Sequence, residues 1–334
     1  MFFIAKRILA ASAAALLVSS CAKNEEPVQV MWQSPVPPAD VPSKTPLAEG
    51  YDYSKIFVRV FPILKTPKGE PYPVSQIRDI VDLQNEQGVT LWAEGMQIAP
   101  AAKDVQLNFK DGKFYLKNVL QGDQPAVELA AREVTVKGGP PATRVTYNKG
   151  LGAAESSRLY RGEFIVTPTD FVYDENGQSK KGAFWSLINV VGIEDYLISV
   201  VPSEVPVSWH ANALDAQAVA ARTYAVKELI EARKKKQNWD VDPTTQYQSY
   251  RGLTIEKEPT TAAVGRTRGV VMTYKGDIFL SFFSANSGGI TCDASDCLER
   301  PDAGYAVSKT DAIEMGTQNV TGGTWKACTS LPLI

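Results

Sequence analysis

The sequence predicts an α+β protein, mostly antiparallel β-sheet, with one main helix (about 211–236) next to a short, stiff loop that is the candidate active-site loop. Three observations predict it. Short runs of β-branched and aromatic residues recur between turn residues from Tyr51 to about Val201. The stretch from Asn212 to Lys236 repeats apolar residues every three or four positions. A length of 334 residues with 44% hydrophobic and 22% charged residues is ordinary globular composition, ample for one large domain or two smaller ones.

The first residues read as a targeting segment. Lys6 and Arg7 precede an apolar run, Ile8 to Val18, that is too short to span a bilayer and has the order of a secretory signal. It ends in Val18-Ser19-Ser20-Cys21, which resembles a lipobox, so residues 1–20 are expected to leave and Cys21 to carry acyl chains. The alternative is an ordinary signal peptide with an incidental cysteine. Residues 21–50 contain Pro27, Pro35, Pro37, Pro38, Pro42 and Pro46, the composition of an extended tether. Lys23 is not an acidic retention signal, which favours an outer membrane as the anchoring site where one exists.

Strands are expected at Ile56–Val60, Val89–Ala93, Val105–Phe109, Phe114–Val119, Val134–Val136, Arg144–Tyr147, Glu163–Thr167 and Phe184–Val191. Asp111-Gly112 and Asn176-Gly177 are hairpin turn signals. In the helix, Leu214, Ala218, Ala221, Ala225 and Leu229 form the apolar stripe, and Lys234 to Lys236 place positive charge at its C-terminal end. Strands return at Gly269–Tyr274 and Asp277–Phe283 around the turn Lys275-Gly276. The organisation expected is a β-rich region over 51–150, a second domain over 151–310 and a tail over 311–334.

The formal charge of −2 excludes the basic excess of a nucleic-acid binder. With Cys21 lipidated, Cys292, Cys297 and Cys328 remain, enough for one disulfide and one thiol, and their spacing leaves the pairing open. Their spacing does not fit a zinc site, and the one histidine, His210, lies far upstream and reads as a surface residue. No cofactor is expected.

Chemistry concentrates between Val200 and Val226. Pro202 and Pro206 bracket Ser203-Glu204-Val205, and two fixed φ angles stiffen that loop. A carboxyl held there, walled by Trp209, suits a general acid. The same framing also fits a helix-start cap or a surface ion-pair partner. This segment resembles the stage II sporulation protein D and amidase-enhancer (SpoIID/LytB) family. The matching residues are Pro202-Ser203-Glu204-Val205-Pro206, Trp209 and Ala216 through Ala225. Tyr160-Arg161-Gly162 and Gly192 to Leu197 resemble the family's upstream strands. Gln248, Tyr250 and Gly252 resemble its Gln-x-Tyr-x-Gly stretch, Thr267 to Val271 its Thr-x-Gly-Val strand, and Phe283 to Gly289 its Ser-Gly-Gly loop.

The resemblance implies a lytic transglycosylase acting on peptidoglycan glycan strands, with Glu204 as the catalytic acid. It also implies substrate contacts from Arg222, Gln217, Ser287, Gly288, Gly289 and Tyr250. For each there is a bland counterpart: a helix-surface arginine, a structural amide, a tight turn, a core aromatic. Trp209 stands between sugar stacking and core, and Tyr224 reads as core. The family also implies a second reading, a glycan-binding enhancer of a cell-wall amidase. A third is a structural envelope lipoprotein docking through residues 51–150. Several positions depart from the family. Asp215 stands where relatives often have lysine, and Phe283 where some have tyrosine. Val241 to Tyr247 has none of the histidine and cysteines with which some members hold zinc. Past Thr310 the resemblance ends, without the relatives' glycine- and histidine-rich tail.

Overall fold

A computed structural model of the chain describes residues 29–30, 54–61, 80–110, 113–118, 127–129, 133–147, 156–175, 178–243, 247–283, 291–294, 305–306 and 308. Cys21 and the Ser287-Gly288-Gly289 loop lie outside them, as do Asp111-Gly112, Asn176-Gly177, Cys297 and Cys328. Cys292 is disulfide-bonded. Among the described residues no helix is long and apolar enough to cross a membrane.

The chain forms two compact units, one from residues 55–203 and 235–256, the other from 1–54, 204–234 and 257–334. The first is built on a ten-stranded antiparallel sheet. Its strands are β2 (Lys55–Phe61), β3 (Ile80–Ala93), β4 (Met96–Lys110), β5 (Lys113–Asn118), β6 (Val127–Glu128), β7 (Val134–Gly138), β8 (Thr143–Tyr147), β9 (Ser156–Tyr160), β10 (Glu163–Glu175) and β11 (Gln178–Gly192). The order is β2-β11-β10-β7-β3-β4-β5-β6, with β8 pairing β3 and β9. Every expected strand of this region is present, and several are much longer than their apolar runs. In β3 the polar residues Gln84 to Gln87 interrupt the pattern, yet the strand runs through them.

The interruption has a structural cause. Val89–Trp92 of β3 pairs with β7, whereas Val81–Gln84 pairs with β8 on the same edge. The sheet forks where β7 ends and β8 begins. The buried Asn85 fills the fork, its amide donating to the Gly139 carbonyl (2.6 Å), the Ala142 carbonyl (3.0 Å) and Thr143 Oγ1 (3.2 Å). Asn85→Ala leaves those acceptors unpaired and is expected to cost about 1–3 kcal/mol of stability, read as a lowered urea midpoint at unchanged slope.

Lys110 pairs with Lys113 and Glu175 with Gln178, so two residues join each hairpin. After β11 the structure departs from expectation. Ile193 onward, read as strand by resemblance, forms helix α1 (Ile193–Glu204). Ile193, Tyr196, Leu197, Val200 and Val201 are its buried face, the i, i+3, i+4, i+7, i+8 pattern of a helix packed on one side. Glu194 and Asp195 in its first turn complement the helix dipole. Its β-branched content resembles a continuing strand, which hides the helical period.

The second unit centres on α2 (Ala211–Lys234), which ends two residues before the expected boundary, Lys236 having left-handed φ of 54°. Helix α2 is buried nearly all round, which its alanines permit by letting neighbours approach closely. Val219 and Ala220 pack with Val270 and Met272, joined by the half-buried Phe279 and Phe283. A third helix, α3 (Glu258–Arg266), was not expected; Pro259 sits in its first turn, where a missing N–H costs nothing. Thr267 to Gly269 is the turn after it rather than a strand. Strands β12 (Met272–Tyr274) and β13 (Asp277–Ile278) flank Lys275-Gly276, both with positive φ (52° and 85°), the hairpin geometry matching strand twist. Strand β1 (Gln29–Val30), within the expected tether, pairs antiparallel with β12.

Candidate functional site

Glu204 is the last residue of α1 and is half-buried. Pro202, Ser203 and Glu204, expected in a loop, form the helix's final turn; the loop proper is Val205 to His210. The correction has a local reason. The apolar residues Ile193 to Val201 carry the helical period up to Pro202, and Ser203 Oγ donates to the Ser199 carbonyl within the final turn (2.9 Å). Glu204 is therefore fixed by helical backbone on one side and by Pro206 just beyond. Trp209 closes the loop by donating its N–H to the Pro206 carbonyl (3.1 Å) and packs on Ala213 and Ala216 at the start of α2. His210 is exposed as expected and also starts the helix: its carbonyl accepts from Ala213 and its Nδ1 from the Asn212 N–H (3.2 Å).

Gln217 lies one turn into α2 and is only 5% exposed, with its Nε2 buried and unpartnered among the described residues. Arg222 is 0% exposed. Its Nη1 donates to the Val270 carbonyl (3.1 Å) and Thr267 Oγ1 (3.4 Å), and its Nη2 to the Val264 carbonyl (3.3 Å). Arg222, expected to touch glycan, is thus a clamp on the C-terminal end of α3, where carbonyl oxygens attract a cation. Asp215 is paired with Arg266 (2.7 Å), and that hydrogen bond raises the guanidinium pKa. This half-exposed pair is worth no more than about 1 kcal/mol.

Tyr250, an expected substrate contact, is placed in the core. It is 2% exposed, lies in the other unit, and donates to Asn189 Oδ1 (2.7 Å), with its ring tilted against Tyr160 and Tyr196. Burial raises its phenol pKa well above the usual value. Gln248 beside it accepts from the Tyr196 hydroxyl (3.2 Å). These groups form a core network rather than a sugar platform. Gly252 has φ of 75°, and a Cβ there would strike the Leu159 carbonyl. Gly252→Ala is expected to destabilise by about 1–3 kcal/mol, measured by thermal unfolding. Arg161 forks onto Glu256 (3.1 and 2.5 Å), fastening the short 3-10 turn Leu253–Ile255.

Asp240 and Val241 donate their N–H groups to the Phe57 carbonyl, and Asp242 faces the buried Arg59 at 3.8 Å. Among the described residues no group of histidine, cysteine and acidic side chains could hold a metal ion.

Glu204, Trp209, Gln217 and Arg222 thus belong to one unit, with a partly exposed carboxylate at the end of a helix. Residues 181–274, which contain all four, match the SpoIID family model, described as stage II sporulation protein. Through this segment the chain is similar to the SpoIID family. An uncharacterized protein of Brachyspira hyodysenteriae is 42% identical over 110 residues, 33% of this chain and 30% of that protein. The amidase enhancer of Bacillus subtilis is 36% identical over 115 residues, 34% of this chain and 15% of its own length. Stage II sporulation protein D of Bacillus amyloliquefaciens is 36% identical over 112 residues, 29% of this chain and 33% of its own. The matches therefore span a third or less of each relative. The matched segment runs from near the start of β11 through β12 and has residues in both units.

Proposed function

We propose that the chain is a peptidoglycan lytic transglycosylase of the cell envelope, anchored by lipid at Cys21, with Glu204 as its acid and base. The observation that carries this reading is the placement of Glu204: a half-buried carboxyl ending a helix, stiffened by prolines on both sides, inside the SpoIID segment. In the proposed reaction Glu204 protonates the oxygen of the bond between N-acetylmuramic acid and N-acetylglucosamine, and the bond breaks. The resulting carboxylate then takes the proton of the muramic 6-hydroxyl, whose oxygen closes on the anomeric carbon as a 1,6-anhydro ring. One carboxyl suffices because no water is activated, unlike the two-carboxylate glycosidases. Ser287, Gly288 and Gly289 remain proposed glycan contacts, and Gln217 a proposed hydrogen-bonding amide.

The resemblance to the amidase enhancer supports a second reading, a glycan-binding protein that stimulates a cell-wall amidase. Digestion of intact and amidase-stripped peptidoglycan, with products read by mass spectrometry, separates the two. Anhydro-ended fragments, more from stripped strands, are the result expected of the transglycosylase. Binding to the strands without any fragments would leave the enhancer reading instead.

A further inference from the structure

The first unit holds a cavity of about 240 Å³, lined by Thr167, Thr169, Ser186 and Ile188 together with Lys236, Gln237, Asn238 and Trp239. The sheet makes its floor. Thr167 lies opposite Ser186 in the β10–β11 register, and because side chains alternate, Thr169 and Ile188 share their face. Three hydroxyls are thereby gathered on one sheet face. The turn after α2 makes the rim, with Lys236, Gln237 and Asn238 exposed.

Trp239 is held by its neighbours. The Arg59 guanidinium lies 4.0 Å over its ring, Tyr247 meets it edge-on at 6.1 Å, and Arg59 is itself paired with Asp242. A rigid indole beside several neutral donors and acceptors matches a molecule with one apolar face and a hydroxylated edge, which is a sugar ring. The lining is too polar for an acyl chain, and its single cation is too few for a phosphate chain. The volume falls below the roughly 300–1,000 Å³ of pockets for drug-sized ligands, so it suits one ring of a longer strand. Lys236 adds a place for one carboxylate.

We infer that this cavity is a second glycan subsite, which takes a single sugar ring bearing one carboxylate, as the lactyl group of muramic acid does once its peptide is removed. The inference rests on the peptidoglycan reading above, and supplies the site by which stripped strands would be preferred. Lys236 would pair with the carboxylate, Trp239 would cover the ring face, and Gln237 and Asn238 would bind the ring's amide or hydroxyl groups.

The test uses the full chain in detergent, carrying Glu204→Gln so that no probe is consumed. Two probes are titrated: short peptide-free glycan oligomers, and chitotetraose, which has no carboxylate. Lys236→Ala is expected to weaken binding of the first about tenfold, the loss of one charge-assisted hydrogen bond, and to leave the second unchanged. Trp239→Phe, which keeps an aromatic under Arg59, is expected to weaken both. If the parent binds both probes equally and neither Lys236→Ala nor Lys236→Ala/Asn238→Ala changes that, the subsite is overturned. Should the parent bind neither probe while the Glu204-containing protein still makes anhydro ends, the subsite falls and the enzyme reading stands. Absence of both binding and products overturns the two together.

Discussion

Glu204→Gln is expected to remove the 1,6-anhydro products of a peptidoglycan digest, lowering the rate by about 10²–10⁴-fold, the range for a positioned acid or base. The upper part of that range is expected because the same carboxyl is asked to donate a proton in one half of the reaction and accept one in the other. Glutamine keeps the length and shape of the side chain, and α1 is stabilised by its buried face from Ile193 to Val201, well before Glu204. Thermal unfolding is therefore expected to be nearly unchanged. Glu204→Asp is the sharper control. It keeps the acid but shortens its reach by one methylene, and with the backbone held between Pro202 and Pro206 the carboxyl has little means of recovering the distance. An intermediate rate for aspartate and none for glutamine would assign chemistry to this carboxyl. Full activity in Glu204→Gln would sink the assignment.

The strands and the main helix were legible in the sequence because their apolar periods of two and three to four are long and bounded by turn residues. The fork at Asn85 was not, since its cause is the joint pairing of β7 and β8 with one edge of β3, residues far apart in the chain. Helix α1 was missed because valines and isoleucines following a buried strand look like more strand. The motif residues carry a different lesson. Resemblance marks Glu204, Arg222, Gln248, Tyr250 and Gly252 alike, but does not say which act on a substrate and which hold the fold. Burial separates them: Gln248 and Tyr250 bond to Tyr196 and Asn189, Gly252 admits a close carbonyl, and Glu204 stays partly exposed. A hint was present in the residue types, because a buried network needs paired polar aromatics and amides, and Tyr196, Gln248, Tyr250 and Asn189 supply them. The sugar-sized cavity had no such hint, being assembled from β10, β11 and a turn that share no contiguous motif.

Arg222→Ala should be the most destabilising of the substitutions considered, by about 3–5 kcal/mol. The side chain is fully buried, and its removal takes a guanidinium donor from the Val264 and Val270 carbonyls and from Thr267 Oγ1 while opening a void beside α2. For a chain with units of this size that loss lowers the unfolding temperature by roughly 10 °C. Arg222→Lys discriminates between a structural clamp and a glycan-binding cation. Lysine keeps the charge but presents one point rather than a planar fork, so it cannot reach carbonyls that approach from α3 and from the segment leading to β12 at once. If the clamp is the role, Arg222→Lys loses most of the same stability, and whatever protein remains folded binds glycan as tightly as before. If it instead folds normally and binds glycan poorly, the guanidinium acts on substrate. The measurement is a urea titration followed by far-ultraviolet circular dichroism, paired with glycan binding below the transition. The clamp predicts a shift in the first with none in the second, because Arg222 joins α2 to α3 and thereby holds the frame from which the Glu204 loop departs.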